Sequence, residues 1–392
     1  MAATDRLRLV WPTTCQVSVQ YCMALPRFIL QSSTMASVLS ARASEDYSPC
    51  GNAQWSYVPI NSILYDAVAL APFKDVFWST SRPQPGNHWS DSCVEPDPEL
   101  NLLISVLSAG TVASGDKRGL ANATRLLQSC TANGTLLKPD APALPLPSAI
   151  RAAFLESGVV RQPAIFPVHA TSRPEGGAGA YHYVLTTSNQ TAIQRVSPSD
   201  LGDAMDAILV AVDYYAVIAA PRELPLPYAA ASTPPYAAAS EARRAGCVLR
   251  TVKVPLVSQH SPLEIRTPRA SPVGDTTAAS YLVLAPAPAA GSGPCWTLLG
   301  EHAKIVSASR QRFARVERAN CRLQATLVGA VGEDVPVLTL RGAVAAASRV
   351  DGTGHVPGEL EGEVVVTECR IGDGGTAHLS CAANGCQCAA AK

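Results

Sequence analysis

The chain carries no surplus of charge: 31 basic residues stand against 31 acidic ones in 392 residues. With no basic excess to neutralise phosphates, a nucleic-acid or other polyanionic partner is not expected. Charged residues make up only 16%, below the roughly 25% common in globular chains, and alanine and proline fill the difference. There is no run of about 20 apolar residues, so nothing reads as a membrane-spanning helix and no membrane partner is expected. The first ten residues lack an apolar signal core and a small-residue cleavage site. The seven histidines show no HExxH or paired spacing, which leaves metal catalysis without support. No cofactor and no metal are expected, and no cysteine–histidine protease signature is found.

Paired CxxC spacings are also missing, although the chain holds 12 cysteines. The one dense group is Cys381, Cys386 and Cys388, with His378 three residues before Cys381. Those four supply the number of ligands of a closed zinc site but not its tight paired spacing, so zinc is not expected. Disulfides are expected if the chain is extracellular. Three N-x-[ST] sequences, at Asn122, Asn133 and Asn189, favour an extracellular or secretory setting. The missing signal core speaks against it.

Two regimes follow one another along the chain. Up to about residue 135, short apolar runs alternate with helical patterns. Strands are expected at 16–22, 35–41, 75–80 and 102–107. Helices are expected at 26–34, 55–70 and 119–130, the second from the spacing of Ile60, Ile63, Leu64, Ala67 and Val68. Such alternation predicts an α/β architecture with a parallel sheet. From about residue 155 the pattern becomes all-β. Strands are expected at 182–187, 207–212, 247–257, 281–284, 323–328, 335–340 and 363–367, separated by turn residues, as in an antiparallel sandwich. The Pro/Ala-rich stretches 221–245 and 285–294 read as loops or insertions.

The segment most suggestive of chemistry is Ala41-Arg42-Ala43-Ser44-Glu45-Asp46-Tyr47. It follows the apolar run 35–39. A carboxyl group at a strand end, flanked by an arginine and an aromatic, suits general acid/base work. The same residues also suit a solvated loop that caps the next helix.

The order of several segments resembles that of α-galactosidase-type glycoside hydrolases, families 27 and 36, including a raffinose-synthase-like subgroup. The likeness rests on residues 20–26, 41–47, 70–80, 95–100 and 107–122, with 296–301 and 306–313 fitting as well. It implies the second half of a (β/α)8 barrel followed by an antiparallel β-sandwich. Residues 1–150 would hold barrel strands five to eight, at 16–22, 37–43, 75–80 and 102–108. Residues 151–392 would be the sandwich with its insertions. The resemblance also implies a carbohydrate substrate and a retaining mechanism, in which Asp46, four residues after Arg42, is the acid/base. Glu45 ranks second for that role.

Substrate-binding positions implied alongside are Arg42, Glu45, Asp75, Trp78 and Asp116. Each has an ordinary structural alternative: an ion pair for Arg42, a pair with Lys74 for Asp75, a core position for Trp78 and a helix cap for Asp116. Two departures stand out. Met23 follows Cys22, where classical members carry an acidic residue that contacts a sugar hydroxyl. The family's nucleophilic aspartate has no counterpart, since only Asp5 precedes the first matched strand. The resemblance therefore implies the C-terminal part of a longer enzyme, inactive alone. The alternative is a non-catalytic carbohydrate-binding or degenerate protein.

Overall fold

The structure is a computed structural model that describes residues 18–22, 24–50, 57–86, 91–151, 167–187, 194–204, 207–219, 247–265, 279–288, 293–344 and 358–391. Asp5, Met23, Trp55, the Asn189 sequence and the stretch 221–245 lie outside the described residues. The chain divides into two compact units. The first is Met1–Leu126, Ala141–Ala170 and Ala270–Ala278; the second is Leu127–Asp140, Thr171–Arg269 and Ala279–Lys392.

The first unit opens with strand β1 (Val19–Tyr21), helix α1 (Pro26–Ser32), β2 (Val38–Arg42), α2 (Tyr57–Ala67) and β3 (Ala71–Phe73). Pro26 starts α1, where a missing N–H costs nothing. Helix α2 buries Val58, Pro59, Ser62 and Tyr65, a one-face spacing. The three strands pair in parallel in the order β1-β2-β3. Ser40 lies opposite both Gln20 and Ala71, and Arg42 opposite Phe73.

Beyond β3 the expected alternation stops. Residues 75–80 form a loop whose one ladder contact is a parallel bridge from Phe77 to Ser114. The apolar run expected as a strand at 102–108 belongs instead to helix α3 (Pro98–Leu107), all ten residues of which are buried. A short apolar run fits a buried strand or a buried helix equally well. Pro98 at the first helical position and Glu99 in the first turn tip it to helix. A single short turn, α4 (Ala123–Leu126), and a 3₁₀ turn at Leu127–Ser129 replace the helix expected over 119–130.

These findings correct the half-barrel expectation. Among the described residues strand makes up 41% and helix 18%, and most of the strand lies in antiparallel sheets. The fold is therefore mostly β, and it is not the second half of a (β/α)8 barrel leading into a sandwich.

The remaining strands are β4 (Ala141–Pro145), β5 (Val168–Ser172), β6 (Tyr181–Thr187), β7 (Gln194–Val196), β8 (Leu209–Asp213), β9 (Cys247–Val257) and β10 (Leu263–Ile265). They continue with β11 (Ala279–Pro286), β12 (Cys295–Glu301), β13 (Phe313–Ala319), β14 (Arg322–Val328), β15 (Asp334–Gly342), β16 (Glu359–Arg370), β17 (Thr376–Ala382) and β18 (Gly385–Ala390).

Within the second unit one sheet runs β12-β15-β16-β9-β8-β11-β6, antiparallel at every step. A second runs β13-β14-β17-β18, also antiparallel. Strand β12 packs on β14, and β16 on β17 and β18. Period-two alternation puts Leu323, Ala325 and Leu327 of β14 and Ala377, Leu379 and Cys381 of β17 on the buried face. Each buried leucine there is worth about 2 kcal/mol. The sheets are also joined covalently. Cys369–Cys388 links β16 to β18, Cys381–Cys386 closes the β17–β18 hairpin, and Cys295–Cys321 ties β12 to the β13–β14 turn.

Candidate functional site

In the first unit, the carboxyl end of β2 runs directly into the residues singled out from sequence. Arg42 is the last residue of β2 and only 5% exposed. Its guanidinium holds two carboxylates: Nη2 is 2.5 Å from Asp46 Oδ1, and Nη1 is 2.9 Å from Asp75 Oδ2. The backbone makes this possible. The ladder continues one residue past β2, where Ala43 N donates to Phe73 O. The chain then turns outward. Helix α2 steadies the turn: Tyr65 Oη donates to Arg42 O at 3.1 Å and Asn61 Nδ2 to Ala43 O at 2.7 Å.

The two carboxylates differ in freedom. Asp75 accepts from Val76 N at 2.9 Å through Oδ1 and from Tyr47 N at 2.8 Å through Oδ2, besides its ion pair. Its own N–H donates to Ser44 Oγ. Asp75 is thus a clamp across the ends of β2 and β3. The Asp46 side chain is 73% exposed. Arg42 takes one of its oxygens and the other faces solvent. Glu45 is exposed beside it.

Behind this rim lies a buried polar layer. Tyr47 Oη donates to Glu95 Oε2 at 2.7 Å and accepts from Trp78 N at 3.0 Å. Asp97 N donates to the other Glu95 oxygen. Lys74 sits 5.2 Å from the Tyr47 ring centroid and donates to the carbonyls of Asp75 and Val76. Burial pulls the Lys74 ammonium down from 10.5 to about 8, against the pull of Glu95 and Asp75. Burial also pushes the Tyr47 phenol up, helped by the Glu95 charge, and pushes Glu95 up although Tyr47 donates to it. The Cys50–Cys93 disulfide staples the loop after Asp46 to the segment that carries Glu95.

Two of the expected substrate positions lie in this packing rather than at the rim. Trp78 is 3% exposed, with its ring edge-on to Tyr47. Asp116 accepts from Ser79 N and Oγ, Gln84 Nε2 and Ser114 Oγ, and so organises the loop around Ser79. The structure therefore brings Arg42, Asp46 and Asp75 together, with Glu45 alongside. Sequence reasoning did not link Tyr47 to Glu95, since 48 residues separate them and no local spacing signals the pair. Among the described residues no three metal-ligating side chains converge. The chain matches no protein-family model and no curated protein.

Proposed function

We propose that the chain is a glycosidase-like protein that binds O-glycosides and carries Asp46, the proton-transferring group of the glycosidase reaction, but is inactive alone. The reading extends the α-galactosidase resemblance and takes galactosides as the first substrates to try. One observation carries it: a buried arginine at the end of a parallel strand holds Asp46 by one oxygen and leaves the other free for a ligand. Sites at the carboxyl ends of parallel strands are a common location for ligands. In a retaining reaction Asp46 would protonate the leaving oxygen and later take a proton from the accepting water or sugar hydroxyl. Arg42 positions it, and Asp75 in turn fixes Arg42.

The second carboxylate of such a reaction attacks the anomeric carbon. Asp75 does not suit that task, because backbone amides and Arg42 occupy both of its oxygens. The chain by itself is therefore expected not to hydrolyse galactosides. A small external nucleophile replaces the missing group. With an aryl α-galactoside of poor leaving ability, azide is expected to switch on release of the phenol. Asp46→Asn should lower that azide-dependent rate by about 100-fold, the usual range for losing a general acid. Absence of any azide-dependent release sinks the catalytic reading. The engagement of both Asp75 oxygens favours a second reading, non-catalytic carbohydrate binding. Galactoside binding seen by saturation-transfer NMR, without release under azide, would select it.

A further inference from the structure

The second unit contains a hairpin whose tip is one of the three N-x-[ST] sequences. Cys130 and Leu136 form an antiparallel bridge, and Thr131 N donates to Thr135 O at 2.9 Å. Between them Thr131-Ala132-Asn133-Gly134-Thr135 makes a tight loop. Gly134 N donates to Thr131 O at 3.0 Å, and Gly134 has φ +85°, which suits glycine. Asn133 Oδ1 accepts from Thr135 Oγ1 at 3.0 Å, from Thr135 N at 3.3 Å and from Thr131 Oγ1. The threonine hydroxyl and amide thus both polarise the Asn133 carboxamide, an Asx-type turn written within five residues. Ala132, Asn133, Gly134 and Thr135 are all exposed, and a side chain built on Gly134 would meet nothing within 4 Å. Ala132 N donates to Glu333 Oε1, which fixes the base of the loop and leaves its tip in solvent.

We propose that Asn133 is an N-glycan acceptor. The four disulfides of the described residues independently place the folded chain in an oxidising compartment, where this modification is made. The donor is an oligosaccharide on a lipid pyrophosphate. The bond from Asn133 Nδ2 to the sugar C1 forms as the bond from C1 to the pyrophosphate oxygen breaks. The lipid pyrophosphate leaves with the electron pair, and one amide proton passes to a base of the transferase. The hydrogen bonds that hold Asn133 use Oδ1, so Nδ2 can react without dismantling the turn. Because those contacts are local, the nascent chain can form the turn before folding. The finished fold then leaves room for the glycan. Asn122 differs: it is half-buried, and its Oδ1 accepts from Arg125 N as the cap of α4.

The test is to express the full chain behind a cleavable leader in a eukaryotic secretory host. The purified protein is treated with peptide N-glycosidase in heavy-oxygen water and mapped by mass spectrometry. Labelled conversion to aspartate at Asn133, lost in Asn133→Gln and Thr135→Ala and kept in Thr135→Ser, is expected. Thr135→Ser retains the hydroxyl and guards against a folding defect in the other two. An unlabelled Asn133 in secreted, disulfide-bonded protein overturns the proposal, as does labelling at Asn122 with Asn133 bare.

Discussion

Lys74 shows how one residue of the buried layer can be read out from outside. It is 1% exposed, and burial lowers the pKa of its ammonium from 10.5 to about 8. Between those two values the unfolded chain holds a proton that the folded chain has released. Stability therefore rises with pH through that window and gains nothing from it below about pH 8. A tenfold change in proton affinity is worth about 1.4 kcal/mol, so the full gain is about 3 kcal/mol. The measurement is urea unfolding of the native chain and of Lys74→Met between pH 7 and 11, with accessible thiols blocked by alkylation. The native chain should gain on the variant as pH rises; a constant difference would show that Lys74 is solvated. Arg312 is the opposite case. It is fully buried yet stays charged because Glu301, at 2.6 Å, and Glu333, at 2.7 Å, both pair with it. Burial alone would lower its affinity for the proton, and the two carboxylates more than offset that.

At the scale of elements, the disulfides differ in how much of the chain each constrains. Cys50–Cys93 spans 43 residues of sequence, whereas Cys381–Cys386 spans 5. Loop-closure entropy gives about 4 kcal/mol for the first and about 2 kcal/mol for the second. The double substitution Cys50→Ser with Cys93→Ser is therefore expected to lower the unfolding midpoint more than Cys381→Ser with Cys386→Ser, as followed by urea titration. The reverse order would mean that the hairpin β17–β18 depends on its crosslink for more than chain entropy. The same scale shows where local patterns are informative. The β-branched run in β9 marks its strand from sequence. The spacing of Ile60, Ile63, Leu64, Ala67 and Val68 marks α2 as a helix but not its buried face, since Ile60 and Ile63 are exposed and Val58, Pro59, Ser62 and Tyr65 are buried. The run at 102–107 does not mark its element, since apolar residues on every side carry no period at all.

At the scale of the whole molecule, the fold is dominated by antiparallel pairing, with parallel pairing in the three-stranded sheet of the first unit. Infrared spectra should show the high-frequency amide I component of antiparallel strands. Circular dichroism should report more strand than helix, in line with 41% against 18% among the described residues. A helix-dominated spectrum would contradict this architecture. The half-barrel expectation failed at this scale because motif order along a chain does not state how many strands close a sheet. Three strands pair, and the segments expected to extend them become a loop and a helix.

Local features were legible in the sequence: the start of α1 at Pro26, the alternation in the late strands, and the placing of Arg42 and Asp46 in one short segment. The two lie four residues apart, and the turn that lets them meet is held by Tyr65 and Asn61 of α2. The turn at Asn133 is equally local, with its contacts inside five residues, although the sequence marked it only as an N-x-[ST] pattern. Long-range packing is what brings Asp75 to Arg42, Glu95 to the Tyr47 hydroxyl and Cys50 to Cys93. Those partners lie 33, 48 and 43 residues apart. Their meeting depends on how strands and helices pack, and period and spacing carry information only over the few residues of a single element.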